Sequence, residues 1–349
     1  MGTGKSPKGS TKLEPRAERS PAPSRDARVV AVTGTSSFIG QNLLGLLDED
    51  PSIDRVVAID VKAPGAGKKT RFYEVDLTQP AAEARLAEIL AAEHARTIVH
   101  LAFHSSPSHA TAYAHELESV GTMHLLVAAR QARVRKLVMG SLTLLYGAHP
   151  SNPNFIAEHH PLRAPKHEPF FADKIEAEAE LGRFAERSEA IVTVLRTAPI
   201  LGPTVKSFLT RYLSRRVMMT MMGFDPLLQF VHEIDAIAAF KLAVDRDVPG
   251  TFNVCGDGVL PLSTVAKLAG RVAFPIPHPI AEPITSLAWM AQLAPVPSTF
   301  LPYLRFLCVA DGARARDVMG FRAAHTTREA LTDFVGAQRL RDVKLLQET

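Results

Sequence analysis

The chain has 349 residues, 46% of them hydrophobic, and a formal net charge of +4. That length can bury a sizeable core, and its two cysteines, Cys255 and Cys308, show no CxxC spacing, which excludes a disulfide framework or a cysteine-ligated metal. Residues 1–27 hold six Lys/Arg and three Asp/Glu, +3 of the total, so the body carries only +1 and lacks the basic stripe of a nucleic-acid reader.

Residues 1–27, rich in Lys, Ser, Gly and Pro without an apolar signal region, read as a disordered basic tail outside the fold. From Arg28 short β-branched runs alternate with helical patterns, the signature of a parallel sheet covered on both faces. RVVAV opens the sheet at Arg28–Val32, and Ile39, Leu43, Leu44 and Leu47 form the apolar stripe of the next helix. Further strands are expected to end at Asp60, Asp76, Ala102, Gly140, Leu195 and Cys255, with helices near Ala81–Glu93, Tyr113–Gln131 and Ala172–Glu186.

The pattern predicts a doubly wound α/β (Rossmann) domain over residues 28–202 and 229–256. Residues 203–228 and 257–349 lose the alternation, carry many prolines and methionines, and form a smaller C-terminal substrate lobe. The uncharged run Pro283–Leu304 is broken by Pro295, Pro297 and Pro302, so it is read as a packed or lid segment and no integral membrane segment is expected. A reducing cytoplasm suits the cysteine content.

TGTSSFIG, Thr33–Gly40, lies between the first strand and its helix. Gly34 permits the tight turn, Gly40 permits close packing of helix on strand, and the free N–H groups of the helix start suit a pyrophosphate. Ser37 stands at the middle glycine position, with Ser36, Phe38 and Ile39 completing the turn. Asp60, followed by Val61 and not by arginine, is placed to accept hydrogen bonds from an adenosine ribose and to repel a 2′-phosphate, favouring NAD over NADP.

Alongside these, VDL (Val75–Leu77), VHLA (Val99–Ala102), Gly121–Thr122, Tyr146–Gly147, Leu195–Arg196, Gly202–Pro203, VHEID (Val231–Asp235) and FNV (Phe252–Val254) occur in order. The chain thereby resembles, over residues 28–335, the extended short-chain dehydrogenase/reductases, the NAD-dependent epimerases and dehydratases typified by UDP-glucose 4-epimerase. The resemblance implies that NAD is the cofactor, that Asp76 and Leu77 border its adenine, and that Leu101 and Ala102 line the nicotinamide channel. It also implies that Lys174 binds the nicotinamide ribose, and that a homodimer forms through the two long helices.

The departures from the family pattern bear on catalysis. Phe170 occupies the tyrosine position of YxxxK, ahead of Lys174, and Leu142 the serine/threonine position, flanked by Ser141 and Thr143. A phenyl ring has no proton to exchange, so tyrosine-dependent catalysis is crippled. Pro199 replaces a family asparagine that contacts cofactor or substrate phosphate, and Leu228 the arginine that sugar-nucleotide epimerases keep on the diphosphate; leucine cannot clamp phosphate, which argues against a UDP-sugar. Glu118 replaces an asparagine before Gly121–Thr122, a change expected to remove a helix-to-loop tether.

Lys174, Thr143 and Ser141 are the catalytic candidates that remain; His104, Tyr146 and His167 are either substitutes or structural hydrogen-bonding groups. VMMTMMGF (Val217–Phe224) and Pro283–Leu304 form either a greasy ligand, partner or membrane contact, or an ordinary core and dimer face. Arg211, Arg215 and Arg216 stand ready for an anionic group or form a solvated face. Three functions fit: an NAD(H)-dependent epimerase-like or oxidoreductase activity that is non-standard or much reduced, an inactive NAD-gated binding or scaffold protein, and a reductase of a hydrophobic ketone. Each takes a small-molecule ligand, apolar in the third reading.

Overall fold

The computed structural model describes residues 27–65 and 67–347; the side chains of 342–347 and the basic tail lie outside the described set. Seven parallel strands form the central sheet: β1 (Val29–Thr33), β2 (Arg55–Asp60), β3 (Thr70–Glu74), β4 (Thr97–His100), β5 (Lys136–Leu142), β6 (Ile191–Thr197) and, from further along the chain, β11 (Gly250–Val254). The short strands β7 (Ile200–Leu201), β8 (Val217–Met221), β9 (Leu227–Leu228), β10 (Val231–His232), β12 (Leu260–Pro261) and β13 (Val272–Ile276) pair outside it. The sheet order β11-β6-β5-β4-β1-β2-β3 reverses between β1 and β4, which opens a crevice at the carboxyl ends of those strands.

Helices α1 (Phe38–Glu49) and α7 (Glu233–Asp245) cover one sheet face; α2 (Ala82–Ala92), α4 (Gly121–Gln131) and α5 (Pro169–Glu186) cover the other, with the short α3 (Thr111–His115) leading into α4. Strands buried on both faces need continuous apolar runs, and all five residues of β1 are buried. Around residues 203–228 and 257–335 a separate cluster, including Leu213, Met218, Leu262 and Phe334, joins α6 (Phe208–Ser214), α8 (Leu262–Leu268) and α10 (Thr327–Gln347). Between α8 and α10 comes α9 (His278–Met290).

Several boundaries differ from those read in the sequence. The predicted helix from Tyr113 is interrupted by a π-turn at Glu116–Val120, a distortion frequent at functional sites. Helix α5 begins at Pro169, not Ala172, because proline is well suited to the first helical turn, and this brings Phe170 into the helix. Strand β5 runs on to Leu142, whereas the third strand ends at Glu74, short of Asp76. Pro283–Leu304 divides into the end of α9 and a 3₁₀ turn at Ser298–Leu304, and among the described residues no helix is long and apolar enough to cross a membrane.

The histidine of VHLA is a core group. His100 is buried with Nδ1 2.6 Å from Thr33 Oγ1 and Nε2 3.0 Å from Thr122 Oγ1. Thr122 donates its own hydroxyl proton to the Glu118 carbonyl, so it accepts from Nε2–H, and Thr33 donates to Nδ1. This network needs a neutral ring, and burial pushes its pKa down to about 3. Because the folded pKa lies below the unfolded one of about 6.5, the unfolded chain takes the proton first. This group's stability is therefore whole above pH 6.5 and falls by about 1.4 kcal/mol per pH unit below it. In urea unfolding between pH 6 and pH 4, His100→Asn is expected to show a shallower loss of stability than the parent; equal slopes would remove the buried neutral ring as the cause.

Candidate functional site

The loop between β1 and α1 shapes the crevice. Gly34 has φ +70°, and a Cβ there would lie 2.4 Å from the backbone of Leu101; a Cβ on Gly40 would lie 2.3 Å from the Gly34 carbonyl. Only glycine allows both approaches. Ser37 caps α1 by accepting from Gly40 N at 3.1 Å, and no acidic residue occupies the first turn, so the positive helix end faces the crevice uncompensated. Asp60 Oδ2 accepts from Ser36 N at 2.7 Å and Oδ1 from Val61 N at 2.7 Å, fixing the glycine loop to the end of β2.

The crevice encloses about 650 Å³, with Gly34, Ser36, Ser37, Phe38, Asp60, Leu77, Leu101 and Ala102 in its walls. Its shape and its helix end fit a dinucleotide. Asp76 stands apart from this wall: its carboxylate is occupied by Thr78 N and Oγ1 and by Gln79 Nε2. Gln41, Tyr113, Thr204 and Lys206 also line the crevice and were missed in the sequence. Lys206 lies four residues beyond Gly202 in a stretch with no periodic pattern, so only three-dimensional closure reveals it.

At the inner end a smaller chamber of about 150 Å³ is lined by Ile39, Ser141, Leu142, Lys174, His104 and Pro199 among others. Ser141 donates to Glu178, which is paired with Arg196 at 2.6 Å; Arg196 in turn donates to Tyr146 Oη, which donates to Asn253 Oδ1 at 2.7 Å. Tyr146 is fully buried, and burial raises its pKa. Tyr146 and Ser141 therefore belong to one buried network that ties β5 to β6 and β11. Thr143 is buried beside it, while His167 is exposed on the loop before α5.

Lys174 is not the free cation that the motif suggests. Its Nζ donates to both carboxylate oxygens of Glu118 at 2.7 and 2.9 Å, with both side chains almost wholly buried, and sits 3.9 Å over the Phe170 ring. Glu118 also accepts from His104 N at 2.6 Å. The helix-to-loop tether expected to be lost is therefore kept, because a carboxylate accepts the loop N–H as an amide oxygen does, and it also neutralises the lysine. Phe170 packs edge-on against Phe171 and Phe208 and tilted on Phe300. His104 Nε2 is buried without a protein partner, in the wall of both crevice and inner chamber.

Through Leu144, Pro199, Phe208 and Leu209 the inner chamber adjoins a third cavity of about 340 Å³ in the C-terminal lobe. Leu228 and Pro199 stand in its wall, and Arg215, held by the Leu293 carbonyl at 2.7 Å, is its one charged side chain.

Residues 30–255, which include the glycine turn and Asp60, match the NAD dependent epimerase/dehydratase family. The chain belongs to that family. A Mycobacterium tuberculosis protein of uncharacterised activity is 32% identical over 318 residues, covering 88% of this chain and 83% of its own. A Streptomyces protein described as a 3-diazoavenalumate denitrifying reductase is 28% identical, covering 85% and 96%.

Solved structures share the fold. The dTDP-glucose 4,6-dehydratase DesIV of Streptomyces venezuelae, with NAD bound, aligns with a TM-score of 0.69 at 19% identity over 89% of this chain and 97% of its own. The UDP-glucose 4-epimerase of Thermotoga maritima, with UDP-glucose, aligns at 0.67 and 20% identity over 90% and 99%.

Proposed function

We propose that this member of the family binds NAD(H) in the crevice and uses it in hydride transfer with an apolar small molecule held in the lobe cavity, without a tyrosine–lysine relay. The observation that carries this reading is the cavity itself: a pocket of ligand size, next to the inner chamber, with leucine and proline where a diphosphate would need arginine and asparagine. A relative described as a reductase supports the reductive direction.

Gly34, Ser36, Ser37, Phe38, Ile39 and Gly40 receive the pyrophosphate, and Asp60 the adenosine ribose. Leu77 packs at the adenine end, while Leu101 and Ala102 flank the nicotinamide. NAD(H), when bound, supplies or accepts the hydride. His104, held through its backbone by Glu118, is the group that exchanges a proton with the substrate; its buried Nε2 has no partner among the described residues and lies in the wall of both crevice and inner chamber. Lys174 contributes at most its remaining N–H to the nicotinamide ribose, and Ser141 and Thr143 hold the strand end that carries Leu142.

Calorimetric titration is expected to show NADH binding by the folded protein, weakened about tenfold or more in Asp60→Ala, as befits loss of a charged acceptor. Deuteride from labelled NADH is expected to appear in medium-chain or aryl ketones, with His104→Gln slowing transfer by about two to four orders of magnitude. Deuteride transfer to sugar nucleotides alone would overturn the substrate class, and absence of NADH binding the whole reading. The neutralised lysine favours a second reading, an NAD-gated binding protein. NADH binding without turnover on any ketone, together with NAD-dependent ligand affinity, would establish it.

A further inference from the structure

Helix α9 is built inside out for a helix on a water-facing surface. Its small residues Ala281 and Thr285 point inward and are buried, while Ile280, Ile284, Leu287 and Met290 point outward, the last two 65% and 71% exposed. A solvated helix places its large apolar residues on the inner face. Leu293, just past the helix end, is 71% exposed as well.

The same outer face continues into β13, an edge strand with one partner among the described residues, where Val272 and Phe274 are exposed opposite Val217 and Met219 of β8. Hydrogen bonds join these parts: Arg215 Nη2 donates to Leu293 O, and Val272 N donates to Arg216 O. An exposed apolar patch of this extent marks an interaction surface.

The border of the patch is cationic. Arg211, Arg216, Arg271, Arg341 and Lys206 surround a broad basin with no carboxylate in its wall among the described residues. Among the described residues Arg271 and Arg341 donate to neutral oxygens, of Leu213, Gln338, Pro203 and Ala337. Glu282 is the single acidic side chain of α9. Exposed large apolar side chains edged by arginine are what a protein presents to an anionic lipid surface.

A second copy is the other candidate, but a two-fold contact sets the border arginines against whatever lies across the axis, and α9 offers Glu282 alone as an acidic side chain, whereas an anionic surface matches them throughout. The cavity also argues for lipid: Ile284, Leu293 and Val217 belong both to the outer face and to the cavity wall, so their side chains stand between the two.

We propose that α9, β13 and the adjoining arginines seat the lobe on an anionic bilayer surface, from which an apolar substrate enters the cavity. The seating goes beyond the hydride-transfer reading, and vesicle binding measures it without turnover, so either can fail alone. The full chain is to be sedimented with phosphatidylcholine vesicles, with and without phosphatidylglycerol. Binding is expected only to the anionic vesicles, and to fall about tenfold or more in Arg211→Glu/Arg216→Glu and in Leu287→Glu/Met290→Glu.

Unchanged thermal midpoints in the Leu287/Met290 variant are expected to show that the surface was altered without unfolding. Equal binding to neutral vesicles, or no binding to either, overturns the proposal. So does a dimer in light scattering that Leu287→Glu/Met290→Glu converts to monomers while vesicles bind nothing, which would assign the face to a second copy.

Discussion

Glu118→Gln is expected to destabilise the fold by about 3–5 kcal/mol, the usual consequence of leaving one partner of a buried ion pair alone. Lys174 Nζ has both Glu118 oxygens as acceptors, inside a region where its other neighbour is the Phe170 ring. A glutamine keeps the shape but removes the charge that compensates the ammonium. The cation–π contact offsets only part of that loss, on the order of 1–2 kcal/mol.

For a chain of this size the thermal midpoint should drop by roughly 4–7 °C. The drop should shrink as pH rises, because an uncompensated buried lysine gives up its proton more easily. The double substitution Glu118→Leu/Lys174→Met removes both charges and is expected to recover most of the stability. Calorimetry of the parent and both variants tests this; a Glu118→Gln midpoint equal to that of the parent would mean that the pair is not charged in the folded protein.

Phe170→Tyr alone is expected to leave tyrosine-type alcohol oxidation at its starting level. Relay chemistry needs a phenol whose proton is loosened by a nearby cation. A tyrosine at position 170 would meet an ammonium already matched by a carboxylate, and the apolar rings of Phe171, Phe208 and Phe300 would raise its pKa by desolvation. Leu142→Ser added to it still leaves the lysine neutralised.

Only the triple change Phe170→Tyr/Leu142→Ser/Glu118→Asn restores the phenol, the hydroxyl and an uncommitted cation, with an amide oxygen still able to hold the His104 N–H. It is expected to exceed the single variant by about two orders of magnitude or more in the rate of NAD reduction by a secondary alcohol. A single variant as fast as the triple one would show that Glu118 does not restrain Lys174.

The sheet and the glycine turn were legible because their signals are local. β-branched runs buried on both faces and a strand-turn-helix with Gly34 and Gly40 declare themselves within a few residues. The substitutions at Phe170 and Leu142 were equally plain as departures from a pattern. The role of Glu118 was not, because its partner lies 56 residues away and the π-turn that aims it is invisible in the helical periodicity. Helix α7, whose apolar stretch fits a buried helix or strand equally well, was not singled out. The apolar character of Pro283–Leu304 was visible, but not that α9 directs Ile280, Leu287 and Met290 away from the protein, since periodicity gives the faces of a helix and not which of them is covered.

Trp289, the single tryptophan of the chain, stacks at 3.8 Å on His109, five residues beyond the histidine proposed for proton exchange. All of the indole emission of this protein thus originates at a contact joining α9 to the loop after β4. That contact makes the molecule its own optical gauge: any rearrangement that separates lobe from loop, whether caused by dinucleotide or by lipid, alters the light from one fluorophore and needs no added dye.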